Sequence, residues 1–232
     1  DNGTWEPVHM DTAGGTRILT TKWVFKLKVC RGRPNRYKAR LCVRGFEQIY
    51  GVDCYDTFSP TADWNTLRLY LSLVACLSLH TRQLDVKTAF LYAPLSENVY
   101  IRVPQGIRGN VFGLSTKVMG LCSSHILKLL KSLYGLKQAP RNWFLLLKEF
   151  LLRIGFAAVE TAPCLFFSYI DFKVLLVLVF VDDILVAGKE ESDVEKIVAA
   201  FADRFKITDT GEVDVYLSIH VERNLAARTM LL

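Results

Sequence analysis

Phe180–Val186 reads FVDDILV and overlaps an apolar run, VLLVLVFV, that spans Val174–Val181. Two adjacent aspartates interrupt an otherwise strongly apolar stretch. The run is too short for a buried helix and rich in Val and Leu, so it reads as a strand. Ile184–Ala187 is apolar again and Gly188 ends it. The stretch therefore predicts two strands meeting at the aspartates. A charge left inside a buried strand is costly unless something compensates it. A hairpin tip resolves this: the flanking residues pair, and both carboxylates project from the turn. A plain Asp-Asp surface turn is the alternative, because turns favour Asp.

Leu84–Leu91, LDVKTAFL, places Asp85 inside a second apolar, strand-like stretch. An isolated buried Asp is expensive, and a cation is one way to hold it. Three carboxylates from two adjacent strand ends suit two Mg²⁺ ions about 4 Å apart. Such a pair can activate an attacking hydroxyl and stabilise a phosphate leaving group in one in-line displacement. Mg²⁺ prefers oxygen ligands, so neither His nor Cys is required. The four histidines do not cluster near the six cysteines, and no C-x-x-C pair occurs, which argues against zinc. The cysteines are also too sparse for a disulfide framework and read as buried free thiols of a reducing compartment.

Charge is distributed unevenly. Arg17–Arg44 holds ten basic residues and no acidic one, and Lys117–Lys148 holds six and none. Asp182–Glu222 holds eleven acidic residues and four basic ones. The net charge of +6 hides this segregation. Basic surfaces facing a carboxylate cluster suit a phosphate-rich ligand whose reacting end sits on metal ions; solvated charged faces without a partner are the alternative. At 51% hydrophobic and 22% charged over 232 residues, the chain is neither disordered, nor collagen-like, nor a disulfide mini-protein. Mean hydropathy is high at +0.22, yet a membrane span needs about 20 apolar residues. None is expected, and neither is a secretory signal at the start of the sequence.

The remaining pattern is mixed. Lys22–Cys30 and Arg36–Arg44 both alternate polar and apolar residues around Arg31–Asn35, RGRPN, which predicts a basic β-hairpin. On alternation alone, Lys26 and Lys28 share a face, and so do Lys38 and Arg40. Leu67–Leu79 predicts a buried helix. Gly135–Pro140 predicts a loop, then a helix starting at Pro140 and ending at Gly155. Ser192 and Glu195 predict a capping box for a helix carrying Val194, Ile197, Val198, Phe201 and Phe205. The layout is α+β, with helices against a mostly antiparallel sheet.

These residues resemble the reverse transcriptase region of copia-type (Ty1/copia, Pseudoviridae) long-terminal-repeat retrotransposon polyproteins. The resemblance runs from about Asn2 to Arg223. It is carried, in order, by NGTWEPV (Asn2–Val8), KWVFKLK (Lys22–Lys28), YKARLCVRGFEQ (Tyr37–Gln48), DTFSP (Asp56–Pro60), LDVKTAFL, SLYGLKQAPRNW (Ser132–Trp143), FVDDIL and TGEVDVYLSIHVE (Thr210–Glu222). Any one of these blocks is weak; eight in order are specific.

The resemblance implies a right-hand polymerase: fingers-like 1–80, palm 81–103, a fingers-like insertion 104–135, palm 136–224 with the FVDD hairpin, and the start of a truncated thumb at 225–232. It implies that Asp85, Asp182 and Asp183 are the catalytic metal ligands, with the backbone carbonyl of Val86 added, and that the ions are Mg²⁺, with Mn²⁺ as a substitute. Phe90 then matches the aromatic that crowds the sugar 2′-position. Gln138 matches a glutamine contacting the incoming dNTP, with Lys137 and Arg141 beside it facing phosphates. Lys38 and Arg40, with Lys26 and Lys28, occupy the finger position that closes on the triphosphate. The partners implied are an RNA or DNA template with its primer, dNTPs, and the rest of a polyprotein with integrase upstream and ribonuclease H downstream, without a membrane. The location implied is a cytoplasmic particle, with later nuclear delivery of the product.

Several positions depart from the family pattern. Phe180 replaces a usual tyrosine, Tyr92-Ala93-Pro94 stands where an Asn-Gly-type turn is common, and Leu217-Ser218 replaces a Leu-Gly pair. Pro104–Ile126, with its LCSSH, matches least well. The chain is expected to start and stop mid-polyprotein. A decayed, non-catalytic remnant that at most binds nucleic acid is the alternative reading. An RNA-dependent RNA polymerase shares the palm carboxylates, but Phe90 disfavours it, because ribonucleotides need space at the 2′-position.

Overall fold

The computed structural model describes residues 2–30, 33–106, 124–170, 172–217, 219–224 and 229–231. In chain order the elements are β1 (Trp5–His9), β2 (Ile18–Leu19), β3 (Thr21–Cys30), β4 (Arg33–Val43), α1 (Trp64–Cys76), β5 (His80–Val86), β6 (Tyr100–Ile101), β7 (His125–Leu129), α2 (Ala139–Arg153), β8 (Ala157–Val159), β9 (Ala162–Ile170), β10 (Lys173–Phe180), β11 (Asp183–Gly188), α3 (Glu191–Arg204), β12 (Ile207–Asp209), β13 (Val215–Tyr216), β14 (Ile219–His220), β15 (Glu222–Asn224) and β16 (Thr229–Leu231). The fold is α+β. No helix among the described residues is long and apolar enough to cross a membrane.

The chain packs as two units, Asp1–Phe58 with Phe90–Trp143, and Ser59–Ala89 with Phe144–Leu232. Leu67, Tyr70, Leu71 and Val74 of α1 share a core with sheet residues of unit 2. Leu91, Val99 and Ile101 pack instead in the core of unit 1.

Unit 2 is built on a six-stranded sheet in the order β12-β5-β11-β10-β9-β8, antiparallel at every pairing. The register puts Leu176 and Leu178 across from Ala187 and Leu185, and Val177 and Val179 across from Val186 and Ile184. The first set packs against α1. On α2 and α3, Phe150 meets Phe201 and Phe205 edge-on at 5.1 and 5.2 Å. Burial on both faces explains why β10 reads as a continuous apolar run.

The helix ends refine the sequence reading. α1 begins three residues before Leu67, because Asp63 accepts a hydrogen bond from the Thr66 amide at 2.8 Å and caps it. It stops at Cys76: Ser78 turns left-handed (φ 52°) and the Leu79 amide returns to the Val74 carbonyl at 3.0 Å, a Schellman closure. Leu79 is therefore core but not helix. α2 ends as expected, with Gly155 at φ 93° and the Phe156 amide on the Leu151 carbonyl. The capping box at Ser192 is not formed. α3 starts at Glu191 with Glu190 as a cap that makes no side-chain bond, which places Ser192 inside the helix. Glu191 and Asp193 in the first turn suit the helix dipole instead.

Unit 1 carries a sheet of order β1-β7-β6-β2, parallel only between β2 and β6, and the separate β3–β4 ribbon. The ribbon is the hairpin expected from the sequence, with a bulge after Lys28. Its expected turn lies partly outside the described residues, as do most of Pro104–Ile126 and part of 225–232.

Candidate active site

The aspartates of unit 2 lie at one end of its sheet. β10 and β11 are joined by a two-residue turn, Val181–Asp182, and Phe180 pairs with Asp183. Asp182 thus lies in the turn as expected, but Asp183 is the first residue of β11. The hairpin admits Val181 only at φ 55°, a left-handed conformation that is strained for a β-branched residue. On its other edge β11 pairs with β5, and Asp183 falls directly opposite Asp85. The Val86 amide donates to the Asp182 carbonyl at 2.9 Å. All three aspartates are half-buried.

Directly opposed residues in an antiparallel pair project to one face with Cβ atoms about 4.5–5.5 Å apart, and like charges so placed repel. The donor chemistry, carboxylate oxygens plus the Val86 carbonyl, fits a hard divalent cation. Among the described residues, however, no three His, Cys, Asp or Glu side chains converge closely enough to hold an ion as folded. Behind Asp183, burial and then the Asp183 charge push the Tyr216 phenol well up, so it is a neutral hydroxyl. Burial does the same to Tyr70. Among the described residues, neither hydroxyl has a hydrogen-bond partner.

In unit 1 the β3–β4 register places Lys26 opposite Lys38, Val24 opposite Arg40, and Lys28 opposite Arg36. Lys26, Lys38 and Arg40 therefore share one face, which alternation within each strand could not establish. The other face is aromatic. Trp23 and Phe25 stack at 6.3 Å, and Phe25 and Tyr37 are exposed. The Arg40 guanidinium lies 5.6 Å from the centre of the Tyr134 ring, a cation–π contact. Phe90 meets the same ring edge-on at 4.9 Å and is half-buried against the core of unit 1.

Gln138 is fully buried, and its amide is committed within unit 1. Its Oε1 accepts from Gln48 Nε2 at 2.9 Å, and its Nε2 donates to the Asp53 carbonyl at 3.0 Å and Glu97 Oε1 at 3.2 Å. Lys137 is exposed, with its ammonium on the Gln48 carbonyl at 3.0 Å. Arg141 pairs with Asp56 at 3.1 Å and donates to the Phe58 carbonyl. Sequence reasoning gave no role to Gln48, Asp53, Glu97 or Tyr134. Gln48 lay within a quoted motif, but nothing local marks its partner ninety positions along the chain.

Residues 2–231 match the family model for reverse transcriptase (RNA-dependent DNA polymerase), and the chain belongs to that family. It is 37% identical over its whole length to the retrovirus-related Pol polyprotein from transposon TNT 1-94 of Nicotiana tabacum, covering 17% of that protein. It is 34% identical, over 96% of its length, to the corresponding polyprotein from transposon RE1 of Arabidopsis thaliana, covering 14% of it. Over 85% of its length it is 30% identical to the transposon Ty1-H Gag-Pol polyprotein of Saccharomyces cerevisiae, covering 10% of it. The copia-type resemblance read from the motifs therefore holds, and the chain spans a small part of these relatives.

Proposed function

We propose that the chain adds dNTPs to a primer 3′-hydroxyl on an RNA or DNA template and releases pyrophosphate. The observation that carries this reading is the register of Asp183 against Asp85, with Asp182 in the adjoining turn. Unit 2 is then the palm and unit 1 the fingers. Asp85, Asp182, Asp183 and the Val86 carbonyl would hold two Mg²⁺ ions, or Mn²⁺, which when bound lower the pKa of the primer hydroxyl and offset charge on the triphosphate. Lys26, Lys38 and Arg40 neutralise the triphosphate from the basic face of the ribbon, with Lys28 on the same hairpin. Lys137 and Arg141 contribute further phosphate contacts. Phe90 sets the sugar preference. Gln138 belongs to the same nucleotide-binding region, although its amide faces inward in this conformation.

Template recognition is backbone-directed and salt-sensitive, since base pairing supplies the sequence information. The partners are the template–primer, dNTPs and the remainder of a Pol polyprotein, including integrase and ribonuclease H. The setting is a cytoplasmic particle with nuclear delivery of the product.

Primer extension on poly(rA)/oligo(dT) with Mg²⁺ and dTTP tests the reading, with Asp182→Asn/Asp183→Asn as control. Extension that vanishes in the control supports it. No extension from a folded wild-type chain would favour the non-catalytic remnant.

A further inference from the structure

Where β4 leaves the ribbon, the chain is fastened to the loop that precedes α2. The Val43 amide donates to the Tyr134 carbonyl at 2.8 Å. A Cβ on Gly45 would lie 2.0 Å from the Gly135 carbonyl oxygen, and one on Gly135 would lie 2.1 Å from that of Val43. Two backbones thus touch where only glycine fits, and Gly135 also takes φ 92°. Three residues after Gly45, Gln48 reaches into the same loop. Its Oε1 accepts the Lys137 amide at 2.8 Å, and its Nε2 donates to Gln138 Oε1 at 2.9 Å and to the Asp53 carbonyl at 3.3 Å.

Gln48, Asp53 and Gln138 are at most 4% exposed. Each amide in this cluster uses both ends, so truncating Gln48 takes away the donor to buried Gln138 Oε1 and the acceptor of the Lys137 amide. A fully satisfied buried network fixes one arrangement of the segments that carry it. Here those segments are the root of the basic ribbon and the Tyr134–Gln138 loop, which also holds Arg40 through Tyr134.

We infer that Gln48 and Gln138 are a matched pair of positioning residues: the amide–amide contact sets where the basic ribbon stands, and so where Lys38 and Arg40 meet a triphosphate. This rests on the proposed polymerase reading for its functional consequence, but not for its structural one. It also gives Gln138 a task that does not require it to touch the nucleotide.

The test uses Gln48→Leu, Gln138→Leu and the double variant, with Gln48→Asn and Gln138→Asn as milder replacements should a leucine variant fail to fold. Amide hydrogen exchange at Val43 and Arg44 and steady-state extension on poly(rA)/oligo(dT) are measured together. Each single variant is expected to speed exchange at both amides and to raise KM for dTTP by about tenfold or more, since each removes the shared amide–amide bond and others beside it, with kcat within about twofold. The double variant is expected to cost less than the product of the two singles, because both remove the shared amide–amide contact. Unchanged exchange overturns the inference, and so does faster exchange with an unchanged KM, which would make the pair merely structural. If the wild-type chain extends no primer, the polymerase reading falls, and the exchange result alone decides the inference.

Discussion

Asp183 stands directly across the β5–β11 ladder from Asp85, on the same face of the sheet. The two residues lie nearly a hundred positions apart in the chain, and only the pairing of β5 with the outer edge of the hairpin brings them together. Facing carboxylates destabilise a strand pair by about 0.2–1 kcal/mol relative to a neutral pair. The register therefore sets two like charges on one face at this end of the sheet.

The effect of that pairing is measurable without any activity. In metal-free buffer at pH 7, Asp183→Asn should raise the melting temperature by about 1–3 °C, since it removes one of two like charges. A lower melting temperature would mean that the Asp183 carboxylate makes a stabilising contact larger than the repulsion.

Phe90 should control sugar choice. Its ring is held by Tyr134 and by the core of unit 1, so it cannot easily turn aside. Phe90→Val is expected to raise incorporation of ribonucleotides relative to deoxynucleotides in a paired extension assay. Equal discrimination by the two proteins would remove the assignment.

Acid stability should respond at the start of α1. The hydrogen bonds from Thr66 hold the Asp63 carboxyl below its usual pKa. A carboxyl with a depressed folded pKa stabilises the fold above its unfolded value and loses that effect as pH falls through the folded one. Asp63→Ala should therefore melt about 2–4 °C below wild type at pH 7. The gap should narrow as the pH is taken below about 4, near the ordinary Asp pKa. A gap independent of pH would show that the cap acts through something other than its charge.

Much of this molecule is legible in the sequence, and the legible parts are local. The FVDDILV hairpin, the alternating ribbon and the glycine that ends α2 each declare themselves within about ten residues. The α3 start was misread because Ser192 and Glu195 match a capping pattern, while Glu190, Glu191 and Asp193 favour an earlier start through the helix dipole. What stayed hidden depends on distant pairing. Alternation shows that Lys26 and Lys28 share a face, but only the register adds Lys38 and Arg40 to the face of Lys26. Gln48 and Gln138 carry no local signal for each other, because two buried amides ninety residues apart look like ordinary polar residues until the fold pairs them.

On the proposed reading, the opposed pair Asp85 and Asp183, with Asp182 in the turn, binds the catalytic cations. Mn²⁺ binding followed by electron paramagnetic resonance, with template–primer and dTTP present, tests it most directly on wild type, Asp85→Asn and Asp183→Asn. Wild type is expected to take up Mn²⁺, and each variant to bind it at least about tenfold more weakly, the loss expected when a charged ligand group is removed. Unchanged Mn²⁺ binding in both variants would contradict it.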